Sequence, residues 1–278
     1  MPKRSSSVVG REFGNGVRAA IESTGLTQRR LAELLGWQEA KLSDMLSGKG
    51  GVTELEVATL LAYCRVPLVE RDRLLALFRE VGSFYVQIPE DGLPDQARTL
   101  INQEREANEI TDWSMIVVPG LIQIREYIEA VTAKARTVPP EKIPATVEAR
   151  VARAEILEYS RTFTFYLHEQ ALLLPVGGEE VWREQLAHLL RLSVRKYITI
   201  RIVPRSAGMH AGAAGDFRLM KFPKYPPVVY LESVKCGLFF DDKETVEVYE
   251  NILKDLAAIA LSEEESRAVI NSILEGLQ

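Results

Sequence analysis

The 278 residues are 46 % hydrophobic and 26 % charged, with a formal net charge of −5, which suits a packed globular chain and excludes a charge-dominated disordered one. The length allows one large or two modest domains. No apolar run approaches the ~20 residues a membrane helix needs, and the basic N-terminus MPKRSSSVVGREFGNG lacks an apolar signal stretch, so a cytoplasmic chain with no membrane partner is expected.

Helical periodicity begins near Arg11, with Phe13, Val17, Ala20 and Ile21 on one face and Gly25 at the end. Thr27 stands at the N-cap of a second helix whose apolar side is Leu31, Leu34 and Leu35. A third helix is predicted over 38–47, stopped by Gly48 and the pair Gly50 and Gly51. Thr53 and Glu56 form a capping box for a fourth, with Val52 and Val57 spaced as its hydrophobic staple. Pro67 breaks the pattern, and a fifth helix carries Leu74, Leu75, Leu77, Phe78 and Val81 before Gly82. Residues 11–82 therefore read as an all-α head of five helices.

The segment SFYVQIPEDGL, followed by Pro94, predicts a linker over 83–96. In the remainder, 97–278, a helix is expected over 97–110, then a β-like run in WSMIVVPG and helices over 121–136 and 141–160. FTFYLHEQALLL has strand character, and a helix over 179–194 precedes four short strands, ITIRIVP, FRLMKF, VVYLES and GLFF. Two closing helices, over 242–261 and 263–276, follow, the second announced by the capping box Ser262 and Glu265. Strands grouped late with short links imply an α+β domain with a mainly antiparallel sheet flanked by helices, and an α+β chain as a whole.

Chemistry is legible mostly in the head. Residues 26–49, LTQRRLAELLGWQEAKLSDMLSGK, have helix-turn-helix spacing: small Ala32 admits a close helix, Gly36 tolerates the turn, and Leu42 plugs the second helix into the core. In that motif the second helix lies in the major groove and its N-terminal residues reach base edges. Trp37, Leu42 and Met45 are expected to face inward, leaving Gln38, Glu39, Ala40, Lys41, Ser43, Asp44 and Ser47 outward. Gln38 can read adenine, Glu39 can accept from cytosine N4 and Ala40 can touch a thymine methyl. Gln28, Arg29, Lys41 and Lys49 are the expected phosphate or groove-edge contacts.

Charge is consistent with this division. Residues 1–50 hold eight Lys or Arg against five acids, a balance of +3, and the other 228 residues carry −8. A binding face is local, so net acidity does not exclude double-stranded DNA. Yet the reading helix bears Glu39 and Asp44 against Lys41, which predicts modest, salt-sensitive affinity for one head. A homodimer on a palindromic operator, with half-sites about 34–36 Å apart, would compensate.

Elsewhere no cofactor, metal or enzymatic constellation is expected. Three histidines, His168, His188 and His210, have no ligand partners at metal spacing, and His168 and Glu169 are expected on opposite faces of a strand. The loop GMHAGAAGD lacks the Lys-Ser/Thr of a phosphate-binding loop and is expected to be a mobile connection. Pro119 and Gly120 at the end of an apolar run are expected simply to turn the chain, although residues 113–127, with Gln123 and Arg125, also offer the apolar wall and sparse polar groups of a ligand pocket. The stripe Trp182, Leu186, Leu189 and Leu190 suits either the core or a dimer interface, and the core is expected. Cys64 and Cys236 fit no disulfide framework and are expected as reduced, buried thiols.

The segment LTQRRLAELLGWQEAKLSDMLSGK resembles the DNA-binding domain of Xre-type, lambda-repressor-like regulators. VPGLIQIREYIEAV, VEARVARAEIL, HEQALLLPVGGEEVWREQLAHLL and ITIRIVPRSAGMHAGAAGDFRLMKF resemble successive blocks of the C-terminal domain of unknown function found in many actinobacterial Xre-type regulators. The resemblance spans about residues 14–276 and implies a transcriptional regulator, often encoded beside a small partner protein. Gln38, Glu39 and Ala40 depart from the common Ser-Gln-Ser of relatives, Asp44 replaces a frequent arginine and Leu46 a common glutamate, so no operator sequence carries over. The expected function is a homodimeric regulator controlled through its C-terminal domain by a small-molecule effector or protein partner. The alternative is an antitoxin-like interaction module that binds a small neighbouring protein and autoregulates its operon.

Overall fold

The computed structural model describes residues 7–79, 84–87, 94–158, 160–234 and 236–277, with the backbone alone for 84–87 and 94–98. Contacts divide the chain into two compact units, Met1–Tyr85 with Lys224–Pro226, and Val86–Pro223 with Pro227–Gln278.

The first unit is built from α1 (Val8–Ser23), α2 (Gln28–Leu35), α3 (Glu39–Leu46), α4 (Glu54–Tyr63) and α5 (Leu68–Arg79). The first helix starts three residues before Arg11 because the Ser7 hydroxyl accepts from the Gly10 amide at 3.1 Å, capping it there. Thr27 caps α2, and Gly36 closes it at φ +66°, a left-handed position. Thr53 and Glu56 complete the capping box of α4, with Val52 and Val57 buried beside it. The ends predicted at Val81 and Gly82 lie outside the described residues. Phe13, Val17, Ile21, Leu31, Leu42, Met45, Leu60 and Leu74 form the core. Close approach of α1 to the end of α3 depends on Gly14, where a Cβ would stand 2.1 Å from the Leu46 carbonyl oxygen. Arg18 donates to the same oxygen at 3.4 Å.

Two apolar residues depart from the pattern. Trp37 is half-buried rather than core, because it sits in the turn after Gly36 with its amide on the Ala32 carbonyl, and the Lys41 ammonium lies 5.0 Å from its ring centre. Leu34, expected on the apolar side of α2, is 42 % exposed.

The segment expected as linker contains β1 (Phe84–Gln87), and α6 (Pro94–Glu106) starts within it; residues 83 and 88–93 lie outside the described residues. Proline suits the first helical position of α6, where its missing N–H has no partner to lose.

The second unit holds β2 (Glu109–Ser114), β3 (Thr162–His168), β4 (Ile198–Val203), β5 (Phe217–Lys221), β6 (Val228–Glu232) and β7 (Gly237–Phe240) in a sheet of order β1-β7-β6-β5-β2-β3-β4. The sheet is mixed. The β2–β5, β5–β6 and β6–β7 ladders are antiparallel, whereas β2–β3 and β3–β4 are parallel. Parallel neighbours require long crossovers. The first carries α7 (Arg125–Lys134) and α8 (Ile143–Arg153), the second α9 (Gln170–Leu173) and α10 (Glu179–Ser193). The unit closes with α11 (Lys243–Ile259) and α12 (Glu263–Glu275), whose capping box Ser262–Glu265 is formed.

Several boundaries differ from expectation for tertiary reasons. The helix expected over 97–110 ends at Glu106, since the Asn108 amide donates to Lys221 O and its carbonyl accepts from Thr162, each at 3.0 Å. The β-like run in WSMIVVPG contributes only Trp113 and Ser114 to β2; the Met115 amide instead donates to Asp216 at 2.9 Å. The helices expected over 121–136 and 141–160 shorten to α7 and α8, flanked by 3-10 turns at Gly120–Ile122, Pro140–Lys142 and Ala154–Ile156. The strand expected through EQALLL stops at His168, whose Nδ1 accepts from the Gln170 amide as α9 begins. Glu169 therefore caps α9 instead of sharing a strand with His168.

Charge is buried beneath the sheet. Arg218 on β5 grips Asp112 on β2 at 2.5 and 2.6 Å and also bonds Glu104 on α6, which receives Arg153 of α8 at 2.6 and 2.9 Å. Burial pushes the Arg218 guanidinium down to about 10, so it remains charged at neutral pH. On the other crossover, Gln185 of α10 accepts from the Ile124 amide and donates to Ile122 O, both at 2.8 Å, beside buried Trp182, Leu186 and Leu189. The loop GMHAGAAGD is tied down at Gly212, where the Trp113 indole donates to the carbonyl oxygen at 2.8 Å and leaves no room for a Cβ. Both cysteines are free; Cys64 is buried, but Cys236 only half-buried.

Candidate nucleic-acid interface

The N-terminal turns of α2 and α3 lie side by side. Gln28 and Arg29 from the first, and Glu39, Ala40 and Ser43 from the second, line one shallow cleft floored by Leu42. Burial of Leu42, Met45 and Leu46 fixes the roll of α3, so Gln38, Glu39, Ala40 and Ser43 are exposed and Lys41, Asp44 and Ser47 half-exposed. Lys49 is exposed just beyond the helix and has no ion pair among the described residues. Gln38 is the N-cap of α3 but makes no side-chain capping bond, which leaves its amide available to a ligand.

The cations near this surface are largely held by acids. Arg29 lies 3.4 Å from Glu33 and 3.5 Å from Glu39, and Arg30 lies 3.0 Å from Glu33. Hydrogen bonds from Arg30 first, then Arg29, hold the Glu33 carboxyl below its ordinary range. Lys41 is turned toward α4, where it pairs with Glu56. The Glu56 carboxyl is lowered by Lys41 first, then by the Thr53 amide. A lowered folded-state value means that this tie between α3 and α4 is fully present above the ordinary carboxylate range and lost as pH falls through the Glu56 value.

The sequence pattern thus locates the outward residues, but not which of them are engaged. Glu56 was legible as a capping residue; its capture of Lys41 was not. Arg30 was absent from the expected contacts although it is exposed on the same turn as Arg29. Its signal was a basic side chain three residues after an N-cap.

In the second unit His168 and His210 stack 6.0 Å apart, both edge-on to Trp113. Burial first, then His210, lowers the His168 imidazole. Among the described residues no three His, Cys, Asp or Glu are grouped to hold a metal ion, and no helix is long and apolar enough to cross a membrane. Arg125 is spent on an exposed pair with Glu148, whereas Gln123 is buried.

A helix-turn-helix domain model matches residues 12–74. A second model, a domain of unknown function (DUF5753), matches residues 97–272, well over half of the chain. The chain belongs to the DUF5753 family. Its DUF5753 region includes β2 to β7, and the combination of a helix-turn-helix head with a C-terminal domain of unknown function is the one that the sequence resemblance implied. No curated protein matches this DUF5753 chain. Among solved structures it is similar to TrmBL2, described as an archaeal chromatin protein with a novel mode of DNA binding, at 12 % identity over 89 % of this chain and 93 % of that one. The TM-score is 0.32, a level at which the likeness says nothing about function.

Proposed function

We propose that this DUF5753 protein is a cytoplasmic, Xre-type transcriptional regulator that binds a palindromic operator as a homodimer and is controlled through its C-terminal domain by a small ligand. The observation that carries the DNA reading is the exposed cleft where the N-terminal turns of α2 and α3 meet, within the matched helix-turn-helix domain. With eight residues, α3 is about 12 Å long, so its first turn is what can reach base edges in the major groove. Gln38, Glu39 and Ala40 are assigned to that readout, with Ser43 one turn further along the same exposed face. Gln28, Arg29 and Lys49 are assigned to phosphates, with Lys41 joining them only on release from Glu56. Asp44 and Ser47 flank the same face.

Because Arg29 is shared between Glu33 and Glu39, one head meets DNA with its charge partly cancelled, and two heads on one operator are needed for useful affinity. Glu39→Gln is expected to strengthen binding to random-sequence duplex several-fold and to steepen the log affinity against log salt slope by about 0.9, one additional phosphate contact. A salt series of fluorescence anisotropy titrations measures this; an unchanged slope would place Arg29 away from the phosphates. Selection from a random duplex pool tests the function itself. It should enrich a dyad-symmetric site with half-sites about 34–36 Å apart. An asymmetric consensus would contradict the homodimer, and no enrichment would contradict sequence-specific binding.

A further inference from the structure

The DUF5753 domain contains a cavity of about 420 Å³, within the range of small-molecule sites. Its walls are the loop over 117–123, the sheet residues of β2, β5 and β6, and α8. A smaller cavity of about 140 Å³ adjoins it, with Leu100, Val131, Arg150, Arg153, Tyr230 and Glu232 lining both.

Three polar features of this wall lack partners. Arg150 is half-buried and makes no hydrogen bond or ion pair among the described residues. Arg153 commits Nε and Nη2 to Glu104, but its Nη1 makes no bond and stands 3.9 Å from the position of a Cβ on Gly120, itself a lining residue. Gln123 donates through Nε2 to Val118 O at 2.6 Å, while its buried Oε1 accepts from nothing. A half-buried cation without a partner and an unmet buried acceptor are both costly. A ligand that supplies an anion and a donor relieves both.

The acids on the wall do not perform that role. Asp112 is occupied by Arg218, and Asp216 accepts from Ser114 Oγ and the Met115 amide. Glu232 stands exposed at the rim without pairing to Arg150. Burial lowers the Arg150 guanidinium, and Glu232 opposes that shift only at a distance.

We propose that this cavity binds a small organic anion whose carboxylate or phosphate is gripped by Arg150 and Nη1 of Arg153, with a ligand hydroxyl or amine donating to Gln123 Oε1 and an apolar body against Leu100 and Val131. The site deepens the reading of the DUF5753 domain as the controlled half of a regulator, and rests on that reading for its effect on DNA but not for binding.

The test uses the full chain with mandelate, phenyllactate and phenyl phosphate as probes, and mandelamide and inorganic phosphate as controls. At concentrations about a hundredfold above Kd, a carboxylate or phenyl phosphate should raise Tm by about 5 °C or more. Carboxylate-only and phosphate-only responses both support the site and identify its anion. Arg150→Met should abolish the shift without lowering the unliganded Tm, and Arg150→Lys, which keeps charge but loses the planar fork, should weaken binding about tenfold. If Arg150→Met does not fold, Arg150→Lys decides. No shift with any anion, an equal shift with mandelamide or inorganic phosphate, or wild-type affinity in Arg150→Lys would overturn the proposal. Operator affinity is measured separately: a probe that binds yet leaves it unchanged overturns ligand control and leaves the site standing.

Discussion

Glu104→Ala is expected to lower the melting temperature of the DUF5753 domain by roughly 10 °C, among the largest effects of any single substitution in the chain. Glu104 is 1 % exposed and receives both Arg153 and Arg218. Its removal leaves two guanidinium groups in a buried site with Asp112, the partner of Arg218, as the remaining carboxylate. Breaking such a pair by deleting one partner costs about 3–5 kcal/mol, since the survivor's desolvation is no longer offset. In a domain of this size each kcal/mol corresponds to about 2–4 °C. Arg218, with a value of about 10, stays protonated at neutral pH and offers no neutral escape. Differential scanning calorimetry reads the result, and a shift within about 2 °C would mean that water replaces the carboxylate and the network does not hold α6 and α8 to the sheet.

In the head, Gly14→Ala is expected to be comparably damaging. The new methyl would sit 2.1 Å from the Leu46 carbonyl oxygen, a backbone atom that no rotamer change can move aside. The neighbouring contact is also tight, with a Cβ on Gly10 falling 2.7 Å from Gly48 O. α1 must therefore lift from the end of α3. Overpacking against side chains costs about 1–3 kcal/mol, and a backbone clash lies at or beyond the upper end. For a unit of this size that is roughly 10 °C or more. Because α1 fixes the roll of α3, operator affinity should fall with stability. Glu22→Ala, exposed on the same helix, should change stability by no more than about 0.5 kcal/mol. Equal melting of Gly14→Ala and wild type would show that the helices do not approach through this glycine.

What the sequence revealed and what it hid follow a physical division. Thr27, the Thr53–Glu56 box and the Ser262–Glu265 box were legible because a cap is decided within four residues. The outward face of α3 was legible because Leu42 and Met45 recur at helical spacing. Strand β2 was not. It buries Thr111, Asp112 and Ser114, and Asp112 tolerates burial only through Arg218, 106 residues away. The parallel ladders were hidden for a related reason: short late strands suggest hairpins, whereas β3 is reached through α7 and α8. In the interface, the charges of Arg29, Glu39, Lys41 and Glu56 were visible one by one. Their pairing depends on how α2, α3 and α4 cross, which no local pattern encodes.

The central claim is that the first turn of α3 reads DNA sequence. The most direct measurement is the ratio of affinities for the selected operator and a scrambled duplex, in wild type and in the triple variant Gln38→Ala, Glu39→Ala, Ser43→Ala. All three side chains are exposed, so the variant should fold and melt as wild type does. Each good base contact contributes about 1–3 kcal/mol of discrimination, so the ratio should fall about a hundredfold while random-sequence affinity is kept or rises with the loss of Glu39. A folded triple variant with the wild-type ratio would contradict the claim.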